Sequence, residues 1–169
     1  MNLYDATVPI FTKLLKQMDR WLDKAVEYAA TKKFDPETLL QARLAPDQYP
    51  LIRQIQAACD QAKFTVAKLT GKEPPSHPDT EKTIADARAR LQTLADYLAT
   101  FTREDFGGAE ERRVSHQWMG GRGMRGGDYL DQYALVNFHF HYTTAYAILR
   151  HNGVPLGKPD AIGSLTLID

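Results

Sequence analysis

The sequence predicts an all-α fold, a four-helix bundle formed by one chain of 169 residues. Three observations predict it. Four segments of bundle length repeat apolar residues every three or four positions, Gly and Pro collect mostly between those segments, and the one strand-like stretch is short and set among glycines. A single domain over residues 1–169 is expected, because a chain of this length buries one ordinary core.

The first helix is expected from Thr7 to Ala30. Val8, Phe11, Leu14, Leu15, Met18, Leu22, Ala25, Val26 and Ala29 form its apolar stripe, and Lys13, Lys16, Asp19, Arg20, Asp23 and Lys24 lie opposite. Pro9 is tolerated only in the first turn, which makes Thr7 the candidate cap. Asp35-Pro36-Glu37 pairs a capping residue with proline at the first helical position and opens a short connector through about Arg43. The second long helix spans Tyr49 to Leu69, with Leu51, Ile55, Ala58, Ala62, Val66 and Leu69 as its inner line. Gln48 and Gln54 flank that line, Thr65 sits at its edge, and Asp60 is expected to face solvent.

Gly71 and the prolines at 74 and 75 end that helix in a turn. Asp79 is then the candidate cap of a third helix reaching Phe101, with Ile84, Ala87, Leu91, Leu94, Leu98 and Phe101 as its seam. Residues 107–127 hold seven glycines, and Arg113 to Met119 between them reads as a short strand or hairpin arm. The last long helix runs from Asp128 to Asn152, and Gly153 and Pro155 end it. A tail follows, expected to pack through Ile162, Leu165 and Leu167. Two short connections and one long one suggest a bundle with a crossover at the long link.

Lys plus Arg and Asp plus Glu both total 21, so no global field favours nucleic acid or an anionic membrane, and neither is expected as a partner. Cys59 is the sole cysteine, which excludes an internal disulfide framework and a thiolate zinc cluster. The opening Met-Asn-Leu-Tyr-Asp has no secretory-signal features and no apolar run reaches spanning length, so a cytoplasmic location is expected.

The last helix carries the candidate chemistry. On a helical wheel Leu130, Ala134, Asn137, Ala145 and Ile148 fall within about 40° of His141, which therefore faces inward. A buried imidazole needs partners for its ring nitrogens. His141 is either a metal ligand or general acid/base in a cleft, or a core histidine hydrogen-bonded to Asn137 or a glutamine such as Gln54 or Gln48. His139 lies about 200° away on the wheel and cannot share one metal with His141. His151 suits the helix C-terminus, where a cation complements the dipole. His77 sits in a loop between prolines, and His116 beside Trp118 reads as a loop residue that could fold back over the bundle.

Residues 121–126 spell G-x-G-x-x-G, but no strand–turn–helix unit surrounds them and no acidic residue stands about twenty positions on, so a dinucleotide site is not expected. The loop's glycine amides and arginines suit an anion, and a solvated turn is the plainer reading. Tyr129, Tyr133, Phe138, Phe140, Tyr142 and Tyr146 surround more of the last helix than one bundle face needs, so either a second subunit or the tail covers it. A homodimer is the expectation.

Three stretches carry a resemblance: Asn137 to Lys158 (NFHFHYTTAYAILRHNGVPLGK), Pro50 to Gly71 (PLIRQIQAACDQAKFTVAKLTG) and the opening LYDATVPIF. Together they resemble an uncharacterised bacterial domain-of-unknown-function family of the DinB/YfiT-like metalloenzyme superfamily. The resemblance implies an up-down-down-up bundle, commonly dimeric. It also implies a divalent metal, often nickel or zinc, held by a histidine of the second helix and an H-x-x-x-H pair of the last. His141 fits the second position of that pair, Asn137 occupies the first, and the second helix offers Gln54 or Gln48 in place of histidine. Amide oxygens are poor substitutes for imidazole, so the full triad is absent and any nickel or zinc is expected to be weakly held, or no cofactor is present. Two functional readings follow. One is a degenerate metal or polar site centred on His141, acting on a small molecule. The other is a non-catalytic dimeric binding or stress-related module with a structural histidine.

Overall fold

In the computed structural model, which describes residues 2–168, the four long helices are α1 (Val8–Lys32), α2 (Leu51–Thr70), α3 (Ile84–Ala99) and a composite last helix. That last helix is built from one α-turn, α4 (Gly126–Tyr129), a π-helical turn (Leu130–Ala134) and α5 (Leu135–His151). A two-residue ladder pairs β1 (Arg113–Val114) with β2 (Met124–Arg125), and a short α6 (Lys158–Ile162) follows the bundle. All the residues assigned to the inner lines of α2 and α3 are buried, as their periodicity requires, and so is the α1 stripe except Val26, which lies at the edge of that face and is exposed.

The caps differ in detail from the sequence expectation. Thr7 stands at the N-cap of α1, but its hydroxyl donates back to the Leu3 carbonyl, 2.7 Å away, and caps nothing. Asp35 does cap its connector, a 3₁₀ helix (Pro36–Gln41), by accepting from the Glu37 amide. Thr83, not Asp79, caps α3: its hydroxyl accepts from the Asp86 amide and the Asp86 carboxylate accepts from the Thr83 amide. Asp79 is engaged elsewhere.

The directions of the helices follow from their contacts. Residues 71–83 do not make a tight turn but run back along α2: Asp79 binds Arg53 and Glu81 accepts from Gln56, both near the start of α2, and the Ile84 amide donates to Glu37 ahead of it. α3 therefore starts where α2 starts and runs parallel to it. The composite helix starts beside the end of α2, where Arg112 donates to the Leu69 carbonyl and Lys68 to that of Ser115, and it returns antiparallel to α2. Phe11 meets Phe138 with ring centroids 4.6 Å apart, Trp21 meets Tyr142 at the same separation, and Tyr28 reaches Gly153, so α1 and α5 are parallel. The order is up-down-down-up, with the crossover in the Pro-rich segment rather than the Gly-rich one.

That crossover is held by Arg90, whose side chain is only 2% exposed. Its guanidinium donates to Asp60 of α2 at 2.8 Å, to Glu81 at 3.0 Å and to the carbonyls of His77 and Pro78, and lies 3.2 Å from Asp79. Asp60 is thus turned toward α3 and the crossover, where it also pairs with buried Lys63, instead of facing solvent. The expectation failed because a wheel cannot see a cation supplied by another helix. Cys59 beside this cluster is fully buried and its thiol is pushed up to about 12, so it is inert at neutral pH.

The Gly-rich segment packs tightly at one point. A Cβ on Gly126 would lie 1.9 Å from the Ala109 carbonyl oxygen, so the composite helix can start there only without a side chain. The arginines of this segment serve the loop itself: Arg113 donates to Gly121, Arg122 to Met119, and Arg125 pairs with Glu111. The tail docks differently from the expectation. Val154 and Leu156 are buried, Tyr142 and Trp21 donate to the carbonyls of Ala161 and Asp160, and Ile162, Leu165 and Leu167 are exposed. The apolar pattern marked the tail, but backbone carbonyls of α6 make its contacts.

Replacing Arg90 by Ala removes the cation shared by three carboxylates and is expected to lower the unfolding free energy by about 2–4 kcal/mol. Urea denaturation measures this, and a loss under about 1 kcal/mol would mean that the crossover is held by other contacts.

Candidate functional site

The antiparallel seam of α2 and α5 brings amides and one imidazole into line. Gln54 on α2 is buried, and its side-chain amide donates to the Tyr49 carbonyl at 3.2 Å. With the NH₂ so directed, its Oε1 faces His141 and lies 2.8 Å from Nδ1 of the ring. An amide oxygen can only accept, so Nδ1 carries the proton and Nε2 keeps its lone pair. Nε2 is not among the buried unpaired atoms, and His141 is half-buried, so the lone pair looks outward along the seam.

Two turns further along α2, Asn137 donates to Gln61 Oε1 at 2.7 Å, the Gln61 amide donates to the Thr65 hydroxyl at 3.0 Å, and Thr65 donates to the Gln61 carbonyl. Asn137 therefore serves Gln61 and not His141. The wheel put both on one face correctly, but their partners on α2 are seven residues apart and each takes its own. Gln61 and Tyr49 were missed by sequence reasoning. Gln61 lies on the same face of α2 as Gln54, which was the available signal, whereas a backbone carbonyl such as that of Tyr49 leaves none. Gln48 stays outside the set: its Oε1 is buried without a partner in the turn before α2.

The wheel also centred the inward face of α5 too close to His141. Phe138, Tyr142, Ala145 and Leu149 are the buried line toward α1, while Asn137 and His141 lie on its α2 side, half-buried. An α5 residue facing that seam meets solvent at one edge and α2 at the other. Burial of the ring, with the charge of nearby Arg53, lowers the pKa of His141, so the imidazole is neutral at neutral pH. Arg53 itself is bound to Asp79 and Gln56 and lies over the Tyr49 ring.

The other histidines are elsewhere. His139 and His151 are exposed on α5, and His77 belongs to the crossover. His116 is half-buried against Trp118, Tyr129 and Tyr133, with ring centroids 5.3–5.8 Å away, so the loop does fold back on the composite helix. Its Nε2 and the Tyr129 hydroxyl are buried without partners. The π-helical turn that follows Tyr129 inserts one residue per turn, a feature that recurs near functional sites.

A transition-metal centre does not fit these donors. No group of three or more His, Cys, Asp or Glu side chains able to hold a metal exists among the described residues, and the seam offers one imidazole beside neutral amides. No helix among the described residues is long and apolar enough to cross a membrane.

A parallel α2–α3 pair clasped by an antiparallel last helix, with a polar seam at its centre, defines a DinB-like four-helix bundle. The chain belongs to the family "Domain of unknown function (DUF1993)", whose sequence profile matches residues 3–162. It is similar to the crystal structure of a DinB family member protein from Shewanella denitrificans, with 44% identity, a TM-score of 0.96, and 99% of this chain and 95% of that one covered. No curated protein matches the sequence.

His141 is expected to titrate below the ordinary histidine value of 6.5, and Arg53→Ala to move it part of the way back up, both read by NMR titration. A base whose folded pKa is depressed favours the fold fully above its unfolded value and loses that contribution as pH falls through the folded one. The melting temperature should therefore fall below about pH 6.5, and less steeply in His141→Gln; identical pH profiles would contradict the assignment. Asn137→Ala leaves Gln61 Oε1 without its donor and is expected to cost about 1–2 kcal/mol in the same denaturation assay.

Proposed function

We propose that this DinB-like protein binds a small molecule at the α2–α5 seam, with His141 Nε2 as the hydrogen-bond or proton acceptor. The observation that carries the reading is the relay from the Tyr49 carbonyl through the Gln54 amide to His141 Nδ1, which fixes the tautomer and leaves one lone pair free. Asn137 and Gln61 supply polar groups beside it. Gln48, with an unpaired oxygen next to the start of α2, is the remaining polar group of the region.

The same residues do not build a tight nickel or zinc site, and no metal is given a role in the chemistry. Protein purified without a histidine tag is expected to carry no stoichiometric transition metal by mass spectrometry. A one-to-one metal that disappears in His141→Ala would overturn this part of the reading. Ligand-observed NMR against a library of polar fragments is expected to give binders that are lost in His141→Ala and kept in His151→Ala. A set of binders indifferent to both changes would sink the seam as a site.

A second reading, a non-catalytic dimeric module with a structural histidine, draws on the outward side of the same helices. Val136 is 61% exposed, Phe140 53%, Phe64 38% and Tyr49 52%, and the tail packs on the α1 side, away from them. A second copy of the chain is the proposed occupant, in keeping with the frequency of two-fold contacts among soluble oligomers. Light scattering after gel filtration is expected to give a dimer mass for the native chain and a monomer mass for Phe140→Glu. A native monomer would exclude the second copy.

A further inference from the structure

A surface cavity of about 570 Å³ lies away from the seam, along the first half of α1. Lys13, Lys16 and Arg20 line it, spaced three and four apart so that they share one helix face. Among the described residues none of the three has a salt-bridge partner and no carboxylate lines the cavity. The nearby acids are taken: Asp19 and Asp23 by Arg88 of α3, and Asp160 by Lys24. Like charges at these spacings repel one another, and an anion would relieve that repulsion.

Gln17 supplies an independent pointer. It borders the cationic face on its core side and lines the same cavity, is only 5% exposed, and makes no side-chain hydrogen bond among the described residues. Its amide is not sealed inside the protein, because neither polar atom is among the buried unpaired ones; what remains uncovered opens on the cavity that it lines. The tail presses the amide in place: a Cβ on Gly163, at φ +70°, would lie 2.7 Å from Gln17 Nε2, and Ser164 continues as a wall. An apolar side is provided by Val8, Pro9 and Ala99.

We infer that this cavity binds a small organic anion carrying a short hydrocarbon portion, with the Gln17 amide and the Lys13, Lys16 and Arg20 cations on its charged end. The cations draw the anion in, the amide gives its direction, and the apolar wall separates it from inorganic ions. This site is distinct from the α2–α5 seam and stands whether or not the seam binds a ligand.

The test titrates the full chain with hexanoate, hexanol and inorganic phosphate, followed by proton–nitrogen NMR of the Gln17 side-chain amide. Hexanoate is expected to shift that resonance saturably, while hexanol and phosphate each bind at least about tenfold more weakly. Lys16→Glu with Arg20→Glu should weaken hexanoate about tenfold or more, and Gln17→Leu, which leaves the charged face intact, should weaken it without abolishing it, read on the Ser164 amide. Phosphate binding as well as hexanoate, no saturable shift with hexanoate, or hexanoate binding unchanged in the charge-reversed variant would each overturn the inference.

Discussion

The buried guanidinium of Arg90 holds the crossover on which the order of the helices depends. By gathering Asp60, Asp79, Glu81 and two crossover carbonyls, it lays residues 71–83 back along α2 and starts α3 beside the start of α2. A planar fork with five donors can serve several acceptors at once, which a lysine ammonium in the same place could not do with fixed geometry. Were that segment a tight turn, α3 would run antiparallel to α2. The last helix would then have no reason to return along α2 with His141 and Asn137 facing Gln54 and Gln61.

The seam depends on this arrangement because its polar groups come in pairs from two helices. Buried amides are tolerable only when bonded, and those facing one another across α2 and α5 are: Gln54 with His141, Gln61 with Asn137 and Thr65. The seam also divides labour. Its Gln61 end is closed and satisfied, whereas its His141 end reaches solvent with one nitrogen uncommitted. A four-helix bundle that needed only stability would fill such positions with Leu or Ile, and the retained polar chain is the feature that the proposed binding role accounts for.

Much of the architecture was legible in the residues. The inner lines of α2 and α3, the connector capped by Asp35 and the glycine stop of the last helix all follow from local spacing, and the structure agrees with each. Three of the readings that needed correction share one cause. Asp60 as a solvent-facing residue, Asp79 as a cap and the Pro-rich segment as a turn were judged within one element, and each was decided by a group from another; of the partners open to His141, the structure takes Gln54 and gives Asn137 to Gln61.

What the sequence by itself determined is therefore the set of helices, their buried faces and the chemical types available on them, because periodicity and capping act over a few residues. Only the tertiary structure decided which polar group meets which. Helical phase places a side chain on a face, but the axial shift between α2 and α5 matches His141 with Gln54 and Asn137 with Gln61. At the start of the composite helix that shift goes with the close approach of Gly126 to Ala109 and to Leu69 of α2, which is not a local property of the chain.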